Sequence, residues 1–411
     1  MSRRGKNEGS IYQREDGRWV SVVSDGYKNG KRRRKSIYGA TRKEVQEELT
    51  RALRSQQLGL PVESDRLTVG TWLKQWLKQQ EPPATRPKSY EDYETHVRIH
   101  LTPAFENKPL TKLQPQDVRE FMREKSEAGY GPKSVRHYRA TLRAALNVAM
   151  GDGLIARNAA ALAKPPRLEK PVPQSFTKEE AQRFLALVQG HRLEALFSVA
   201  LALGLREGEA LGLRWQDVDL EAAELHVSYA LQRIKRPGEV KGRLELIAPK
   251  TDRSRRLIAL PEVSVSVLRA HRTRQAVERS LCGEHWHDTG MVFTTTTGTM
   301  LDPRNMLRSF YAIMGTPDPN DPEPDPKKKR KLLPRLRFHD LRHSAATLLL
   351  AQGVDARYIM ELLGHSSITV TMNTYAHVLK EMHRETARQT DAILNPLAVR
   401  LAVKPAAERV N

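Results

Sequence analysis

The sequence predicts a multidomain α+β protein: a small three-stranded β-sheet plus helix, an all-α domain, and a mixed, mainly α-helical domain. Three observations support this prediction. At 411 residues the chain is long enough for two or three domains of about 150 residues each. Apolar and β-branched residues follow a strand pattern near the start, whereas helical spacing dominates from residue 67 onward. A proline-rich segment at 164–173 then separates the second domain from the third.

The first predicted domain, residues 1–60, begins with a small antiparallel sheet. Its strands, separated by Asp-Gly and Asn-Gly turn signals, are predicted at 10–13, 18–23 and 33–38. Thr41 and Glu44 then form a capping-box pattern that predicts a helix to about Gln57. So small a module has only a marginal core, so its basic turn requires a second purpose. We expect that turn to bind DNA, rather than to be a solvated hairpin face, through Arg32, Arg33 and Arg34.

The second predicted domain, residues 67–163, follows a linker at 58–65 and is helical throughout. Trp72 and Trp76 lie four residues apart on one helix face, where we expect core packing rather than base stacking. Basic residues recur in the last long helix, and three are expected to contact DNA: Lys133, Arg136 and Arg139.

The third predicted domain, residues 174–395, mixes helices with short strands. A second capping box, formed by Thr177 and Glu180, predicts where its first helix begins. The pattern predicts helices at about 178–188 and 191–203, strands at about 224–228, 244–248 and 255–260, and further helices after 261.

The charge of the chain indicates a polyanionic partner. There are 69 Lys and Arg against 48 Asp and Glu, a formal net charge of +21 and a pI of about 10.1. A merely solubilising basic surface is the plainer alternative. No stretch approaches the roughly 20 apolar residues of a membrane span, and no signal-peptide pattern is present. The sequence therefore predicts a cytoplasmic protein with no membrane partner.

Metal and redox chemistry find little support in the sequence. Cys282 is the only cysteine, so no intrachain disulfide can form and a reducing compartment is expected. Cys282, His285 and His287 offer three potential zinc ligands, but their spacing fits no standard zinc module and a fourth ligand is missing. We therefore predict no metal site and no cofactor.

One short stretch carries the residue types of phosphodiester chemistry. His339, Arg342, His365 and Tyr375 follow one another there, and Arg206 stands upstream. Transfer of a phosphodiester requires a nucleophile, cations for the nonbridging oxygens, and a proton for the leaving oxygen. A tyrosine can be the nucleophile, and the planar fork of arginine binds phosphate through two hydrogen bonds.

Each of these residues alone has a plainer interpretation. Arg206 would form an ion pair with Glu209, three residues on. A histidine and an arginine three apart share a helix face and can reach one phosphate, but many surface helices contain such a pair. Gly364 predicts a helix C-cap that places His365 in the next turn. An arbitrary tyrosine such as Tyr375 is usually a packed aromatic.

Together, however, these residues and the apolar patterns between them resemble the tyrosine recombinases, the phage integrase family. The resemblance covers the third domain. Three segments carry it: Gly204-Leu-Arg-Glu-Gly-Glu-Ala-Leu-Gly-Leu-Arg-Trp215, His339-Asp-Leu-Arg-His-Ser-Ala-Ala-Thr347, and Leu362-Leu-Gly-His-Ser-Ser367 with Thr374-Tyr-Ala-His377. Less specifically, residues 67–163 resemble the helical core-binding domain of this family. Residues 8–57, within the predicted domain 1–60, are similar to the small three-stranded arm-binding domain found in integrases of mobile elements.

The resemblance implies a mechanism. Tyr375 attacks the scissile phosphorus, which gives a 3′-phosphotyrosine and a free 5′-hydroxyl. Arg206, Arg342 and His365 bind the nonbridging oxygens, and His339 handles the tyrosine proton.

Two assignments keep a rival. Lys250 resembles the hairpin lysine that protonates the leaving oxygen in this family, and Lys241 is its rival. Tyr358 is the alternative nucleophile, but it lies on a helix between apolar positions, where packing explains it.

The resemblance also implies partners. It predicts a clamp around double-stranded DNA attachment sites, a homotetramer on synapsed DNA, and possible accessory DNA-bending proteins. We interpret the chain as the site-specific recombinase of a phage or integrative element. The alternatives are a chromosome-dimer resolvase, whose relatives generally lack the N-terminal module, a type IB topoisomerase, and a DNA-binding regulator that has lost catalysis.

Overall fold

A computed structural model describes residues 10–28, 31–57, 67–168, 174–236, 238–249, 255–316 and 333–364, with residues 387, 390, 391 and 394. The described residues divide into two compact units: those of 1–170 with 234–241, and those of 171–233 with 242–411. Within these ranges, no helix combines the length and the apolar character that a membrane span requires.

The first unit opens with an antiparallel sheet whose strand order is β1-β2-β3. Its strands are β1 (Ser10–Gln13), β2 (Trp19–Lys28) and β3 (Lys31–Gly39). The pairing of β2 with β3 shifts register between Ser24 and Tyr27, which marks a bulge. The sheet confirms the three strands expected from the alternating pattern.

Helix α1 (Arg42–Gln57) packs on this sheet. Its backbone begins with the predicted capping box: the Glu44 amide donates to Thr41 Oγ1 at 3.2 Å, and the Thr41 amide donates to Glu44 Oε2 at 3.3 Å. Leu49 and Ala52 of the helix form a small buried cluster with Val23 of the sheet. A cluster this small fits the marginal core that the sequence indicates.

Residues 67–168 of the first unit are mainly helical, as predicted. Its helices are α2 (Val69–Gln79), α3 (Pro87–Thr95), α4 (Thr102–Phe105), α5 (Pro115–Glu127), α6 (Pro132–Gly151) and α7 (Ala159–Leu162). A π-helical segment, His96–Leu101, joins α3 to α4. Trp72 and Trp76 are buried in the core, and the indole of Trp72 donates to the Ala145 carbonyl at 2.9 Å. Their predicted core position is confirmed.

The second unit contains helices and short strands. Its described helices are α8 (Lys178–Val188), α9 (Glu194–Leu203), α10 (Glu207–Leu211), α11 (Glu262–Cys282), α12 (Pro303–Met314), α13 (Phe338–Ala351) and α14 (Ala356–Leu363). Its strands are β4 (Val218–Asp219), β5 (Glu224–Val227), β6 (Ala230–Ile234), β7 (Arg243–Ile247) and β8 (Arg256–Ala259). They form one sheet of order β4-β5-β8 and a two-stranded sheet of β6 and β7.

Most of these elements match the sequence prediction. The capping box of Thr177 and Glu180 opens α8, and the three predicted strands correspond to β5, β7 and β8. Strands β4 and β6 were not predicted from the sequence. β4 contains only two residues, and β6 lacks the alternation of a half-buried strand.

Helix α9 forms the centre of the second unit. Eight of its ten residues are buried, and it contacts α8, α10, α11 and α13. A helix that is apolar on every side belongs in a core. Ring centroids 5.8–6.4 Å apart link Phe197 of α9 to Phe184, Phe310 and Phe338. This packing fixes the end of α9 relative to α13, and the candidate site lies where these two helices meet.

Candidate active site

The turn between α9 and α10 positions Arg206. Gly204 ends α9 in the left-handed conformation at φ +59°. A Cβ at this position would lie 2.4 Å from Cδ2 of Leu363, so the close approach of α14 also requires glycine. Arg206 then precedes α10, and its backbone amide donates to Glu209 Oε2 at 3.1 Å. Its guanidinium donates to Glu209 Oε1 at 2.5 Å. The ion pair considered as the plainer interpretation of Arg206 is therefore present.

Helix α13 carries His339 and Arg342. The backbone amide of Arg337 donates to Asp340 Oδ2 at 2.8 Å at the start of this helix, which satisfies one of the amides that lack a helical partner. Arg342 is only 1% exposed. Its Nη1 donates to the Gly204 carbonyl at 2.8 Å, and its Nη2 donates to the Leu363 carbonyl. Arg342 therefore holds together the ends of α9 and α14.

Three arginines converge on the C-terminal end of α14. Arg256 Nε donates to the carbonyl of residue 362 at 2.7 Å, Arg342 to that of residue 363, and Arg206 Nη2 to that of Gly364 at 3.1 Å. The last carbonyls of a helix lack helical partners and carry the negative end of its dipole, so cations stabilise them. Gly364 itself adopts the left-handed conformation at φ +62°, and its position at the C-cap confirms the prediction. The three carbonyls of residues 362–364, the turn that leads directly into residue 365, each accept a hydrogen bond from an arginine.

Glu209 connects two of these arginines. It is buried, and its carboxylate accepts from Arg206 at 2.5 Å and from Arg256 Nη2 at 3.0 Å. Burial alone would raise the pKa of this carboxyl, but Arg256 and then Arg206 outweigh burial and lower the pKa to about 2. Glu209 is therefore ionised across the physiological range and acts as a fixed anion between the two guanidiniums.

Two histidines share the exposed side of α13. The rings of His339 and His343 meet edge to face, with centroids 5.2 Å apart. His339 keeps access to solvent. Its pKa is nonetheless lowered to about 4, first by partial loss of hydration, then by His343 and Arg342, against the opposite effect of Asp340. Loss of hydration also lowers the pKa of His343. His339 is therefore neutral at pH 7, and burial shifts the pKa of His343 in the same direction.

The structure brings together only part of the predicted site. Arg206 lies just before α10, and His339 and Arg342 lie in the first turns of α13. Lys250, His365 and Tyr375 lie outside the described residues. Lys241, the rival of Lys250, is described and exposed.

The prediction that Tyr358 packs between apolar side chains is wrong. This residue lies on α14 and is 70% exposed. Ile359 and Leu363 form the buried face of the helix, and a residue next to Ile359 points about 100° away from that face. Apolar neighbours in sequence therefore did not place Tyr358 in the core.

The predicted DNA-contacting residues differ in their surroundings. Lys133 is exposed. Arg136 donates to the Pro166 carbonyl at 3.1 Å, and Arg139 donates to the Ala163 carbonyl at 2.6 Å and to the Ala161 carbonyl at 3.2 Å. The backbone of Arg32, Arg33 and Arg34 lies on β3, and their side chains lie outside the described residues.

Arg256 was not predicted from the sequence to have a role in the site. The available signal was the basic pair Arg255-Arg256 after the predicted hairpin lysine. In the part of the chain that the structure describes, no three His, Cys, Asp or Glu side chains are grouped so as to hold a metal ion.

Comparison with known proteins identifies the family. The model of the phage integrase family matches residues 174–382, half of the chain, and the model of the phage integrase N-terminal SAM-like domain matches residues 68–126. The chain belongs to the phage integrase family. It is thus a tyrosine site-specific recombinase, a DNA-cutting and DNA-rejoining enzyme.

Full-length integrases and recombinases are among its relatives. A XerC-like tyrosine recombinase of Caldanaerobacter subterraneus is 30% identical over 373 residues, covering 88% of this chain and 92% of the relative. An integrase of Saccharopolyspora erythraea is 28% identical over 439 residues, covering 94% and 96%. The ICEBs1 integrase of Bacillus subtilis is 25% identical over 390 residues, covering 94% and 100%.

Solved integrase structures share the fold. The Tn1549 transposon integrase in complex with transposon right end DNA matches with a TM-score of 0.61 at 21% identity, covering 78% of this chain and 99% of that one. A lambda integrase tetramer bound to a Holliday junction matches with a TM-score of 0.52 at 18% identity, covering 90% and 96%. The integrase fold therefore extends over most of this chain.

Proposed function

We propose that this recombinase is the integrase of a phage or integrative element, and that Tyr375 cuts DNA through a 3′-phosphotyrosine intermediate. One observation carries the proposal: three guanidiniums converge on the carbonyls of residues 362–364, directly ahead of His365. Concentrated positive charge at the turn directly before His365 is what a phosphate in the transition state requires.

Arg206 and Arg342 are proposed to bind the nonbridging oxygens in different ways. The Arg206 side chain is 37% exposed, and we propose that the N–H donors not used by Glu209 and Gly364 bind a phosphate. Arg342 is nearly inaccessible and already donates to two carbonyls. A phosphate therefore reaches Arg342 only after groups around it move. His365 is proposed as the third phosphate-binding group.

Proton transfer is proposed to involve two groups. His339 is proposed to accept the proton of the attacking tyrosine. Its pKa of about 4 keeps it neutral at pH 7 but makes it a weak base in the DNA-free protein, so the negative charge of a bound phosphate would have to raise that pKa. Lys250 is proposed to protonate the departing 5′-oxygen, with Lys241 as the alternative. The phosphotyrosine conserves the energy of the broken bond, so the 5′-hydroxyl of a partner strand can reseal it without ATP. Cationic side chains take the role that metal ions have in many phosphoryl-transfer enzymes.

Relatives of both kinds match much of this chain. The integrases of Saccharopolyspora erythraea and Bacillus subtilis each cover 94% of it, the XerC-like recombinase of Caldanaerobacter subterraneus covers 88%, and XerC of Mesorhizobium japonicum covers 73%. These two integrases match more of the chain than either XerC relative, which favours an element integrase over a chromosome-dimer resolvase. We propose that residues 1–60 bind arm-type DNA, that 67–163 bind the core site, and that 174–395 catalyse strand exchange.

The proposed assembly is a homotetramer on two synapsed DNA sites, with accessory DNA-bending proteins as possible partners. It is supported by the lambda integrase structure, in which a tetramer is bound to a Holliday junction. We expect the enzyme to act in the cytoplasm, where this substrate is held.

The test is covalent capture on a suicide substrate. A nicked duplex spanning the junction between the element and its host chromosome should give an SDS-resistant adduct with the wild-type protein. Tyr375→Phe removes one oxygen and little volume, so DNA binding should persist while the adduct disappears. Tyr358→Phe is the matched control, because Tyr358 is an exposed tyrosine of the same unit, and it should form the adduct normally.

Peptide mapping of the adduct completes the test. DNA attached to any residue other than Tyr375 would refute the assignment. Binding of the junction DNA without any adduct would favour a regulator that has lost catalysis.

A further inference from the structure

Arg256 occupies a position unlike that of the other arginines of the site. It begins β8, a strand remote in sequence from the turn before α10 that carries Arg206 and from helix α13, which carries Arg342. Its side chain is only 7% exposed. Arg206 has 37% of its side chain exposed, so the two differ in their access to DNA. Because the Arg256 guanidinium is buried and bonded to protein groups, we expect it to act on those groups and not directly on DNA.

Those partners are themselves parts of the site. Arg256 Nη2 donates to Glu209 Oε2 at 3.0 Å, and Arg256 Nε donates to the Leu362 carbonyl at 2.7 Å. Glu209 in turn accepts from the guanidinium of Arg206. One rigid, planar cation thus contacts both the anion that holds Arg206 and the first carbonyl of the turn that precedes His365.

We propose that Arg256 is a positioning residue of the active site, which fixes Arg206 through Glu209 and the 362–364 turn through the Leu362 carbonyl. The inference rests on the proposed function, because it assumes that Arg206 and the segment after Gly364 act on the scissile phosphate. Misplacement of catalytic groups by about 1 Å costs on the order of 10²-fold in rate. The same loss is expected when Arg256 is removed.

A second consequence concerns pH. The anionic form of Glu209 depends first on Arg256 and then on Arg206, against a burial effect that favours the neutral acid. Without Arg256, the pKa of Glu209 rises, and a protonated Glu209 no longer attracts Arg206. The ratio of variant to wild-type cleavage rate should therefore fall as pH falls. A side chain that merely stabilises the fold would lower the amount of folded protein without giving this ratio a pH dependence.

The experiment measures single-turnover cleavage by the full-length chain on the nicked junction duplex, together with DNA affinity and thermal unfolding. Arg256→Gln should bind the duplex with wild-type affinity, cleave it about 10²-fold more slowly, and show a relative rate that declines toward low pH. Arg256→Lys restores the charge beside Glu209 but lacks the fork that also reaches Leu362. It should remain slow without the acid decline.

Arg192 offers a matched control in the same unit. It also joins a carboxylate to a main-chain carbonyl: Nε and Nη2 each lie 2.7 Å from Glu278, and Nη1 lies 2.8 Å from the Thr294 carbonyl. Arg192→Gln should lower the unfolding temperature and leave both the single-turnover rate of folded protein and its pH profile unchanged.

The outcomes separate this inference from the proposed function. If wild-type protein forms the Tyr375 adduct and Arg256→Gln cleaves at the wild-type rate with the wild-type pH profile, Arg256 has no positioning role. If Arg256→Gln does not fold, Arg256→Lys decides, and a wild-type rate for that variant overturns the inference. If wild-type protein forms no Tyr375 adduct, the proposed function fails first.

Discussion

Replacement of Glu209 by glutamine tests the electrostatics of the site most directly. The carboxylate is buried between Arg206 and Arg256, and its pKa is lowered from 4.5 to about 2. Each pKa unit corresponds to about 1.4 kcal/mol, so the ionised form contributes about 3 kcal/mol to the free energy of unfolding. Removal of one partner from a buried ion pair independently costs about 3–5 kcal/mol, because it leaves a buried charge uncompensated. Both routes predict a loss of about 3 kcal/mol at pH 7.

The pH dependence has a definite sign. The folded-state pKa of Glu209 lies below its unfolded value, so its contribution is complete above about pH 5 and is lost as pH falls toward 2. The difference in stability between wild type and Glu209→Gln should therefore be constant from pH 7 to about pH 5 and narrow below that.

Thermal or denaturant unfolding of the full chain measures the effect. For a folding unit of 150–250 residues, 1 kcal/mol shifts Tm by about 2–4 °C, so the transition of the second unit should move by about 6–12 °C. Glu221→Gln is the control, because Glu221 makes a 2.9 Å ion pair with Arg269 on the surface and should change Tm little. A loss below about 1 kcal/mol for Glu209→Gln, the range of an exposed pair, would refute the reasoning.

Two further predictions concern the ends of the site. Gly204→Ala should destabilise the fold by about 2–5 kcal/mol, because the left-handed backbone disfavours alanine and because the new Cβ would collide with Leu363. Gly190→Ala is the control: this residue has φ +76° and open space around it, so it should lose only the stability that the left-handed backbone costs. Equal losses of unfolding free energy for the two variants in a denaturation series would contradict the contact argument. Lys250→Ala should recover cleavage on a substrate whose 5′ leaving atom is sulfur, which needs little protonation, and recovery by Lys241→Ala instead would move the general acid to that residue.

The local elements of this fold were predictable because short-range rules decide them. Thr41 and Thr177 each precede a glutamate at the third helical position, and both capping boxes form as expected. Gly364 ends α14 as a left-handed C-cap for the same reason. β6 and the two-residue β4 were missed because their pairing depends on neighbouring strands rather than on their own pattern.

Less of the site was predictable, because its contacts join distant segments. The pattern of Arg206 predicted an ion pair or a phosphate ligand as alternatives, and the structure shows the ion pair together with a second bond to the Gly364 carbonyl. The burial of Arg342 and the bridge made by Arg256 depend on which elements meet in space. Tyr358 illustrates the opposite error: its apolar neighbours suggested packing, but helical geometry turns its side chain outward.

The hydrogen bonds that arginines make to the last carbonyls of α14 have a consequence for folding. Its terminal carbonyls receive donors across separations of 106 and 158 residues, and the Arg342 bond to Gly204 spans 138. Contacts of such range form late, because long loops must close before they contribute. A nascent or partly unfolded chain therefore has these arginines scattered along the polypeptide. If the proposed site is correct, the arrangement that cleaves DNA exists only once the second unit has folded.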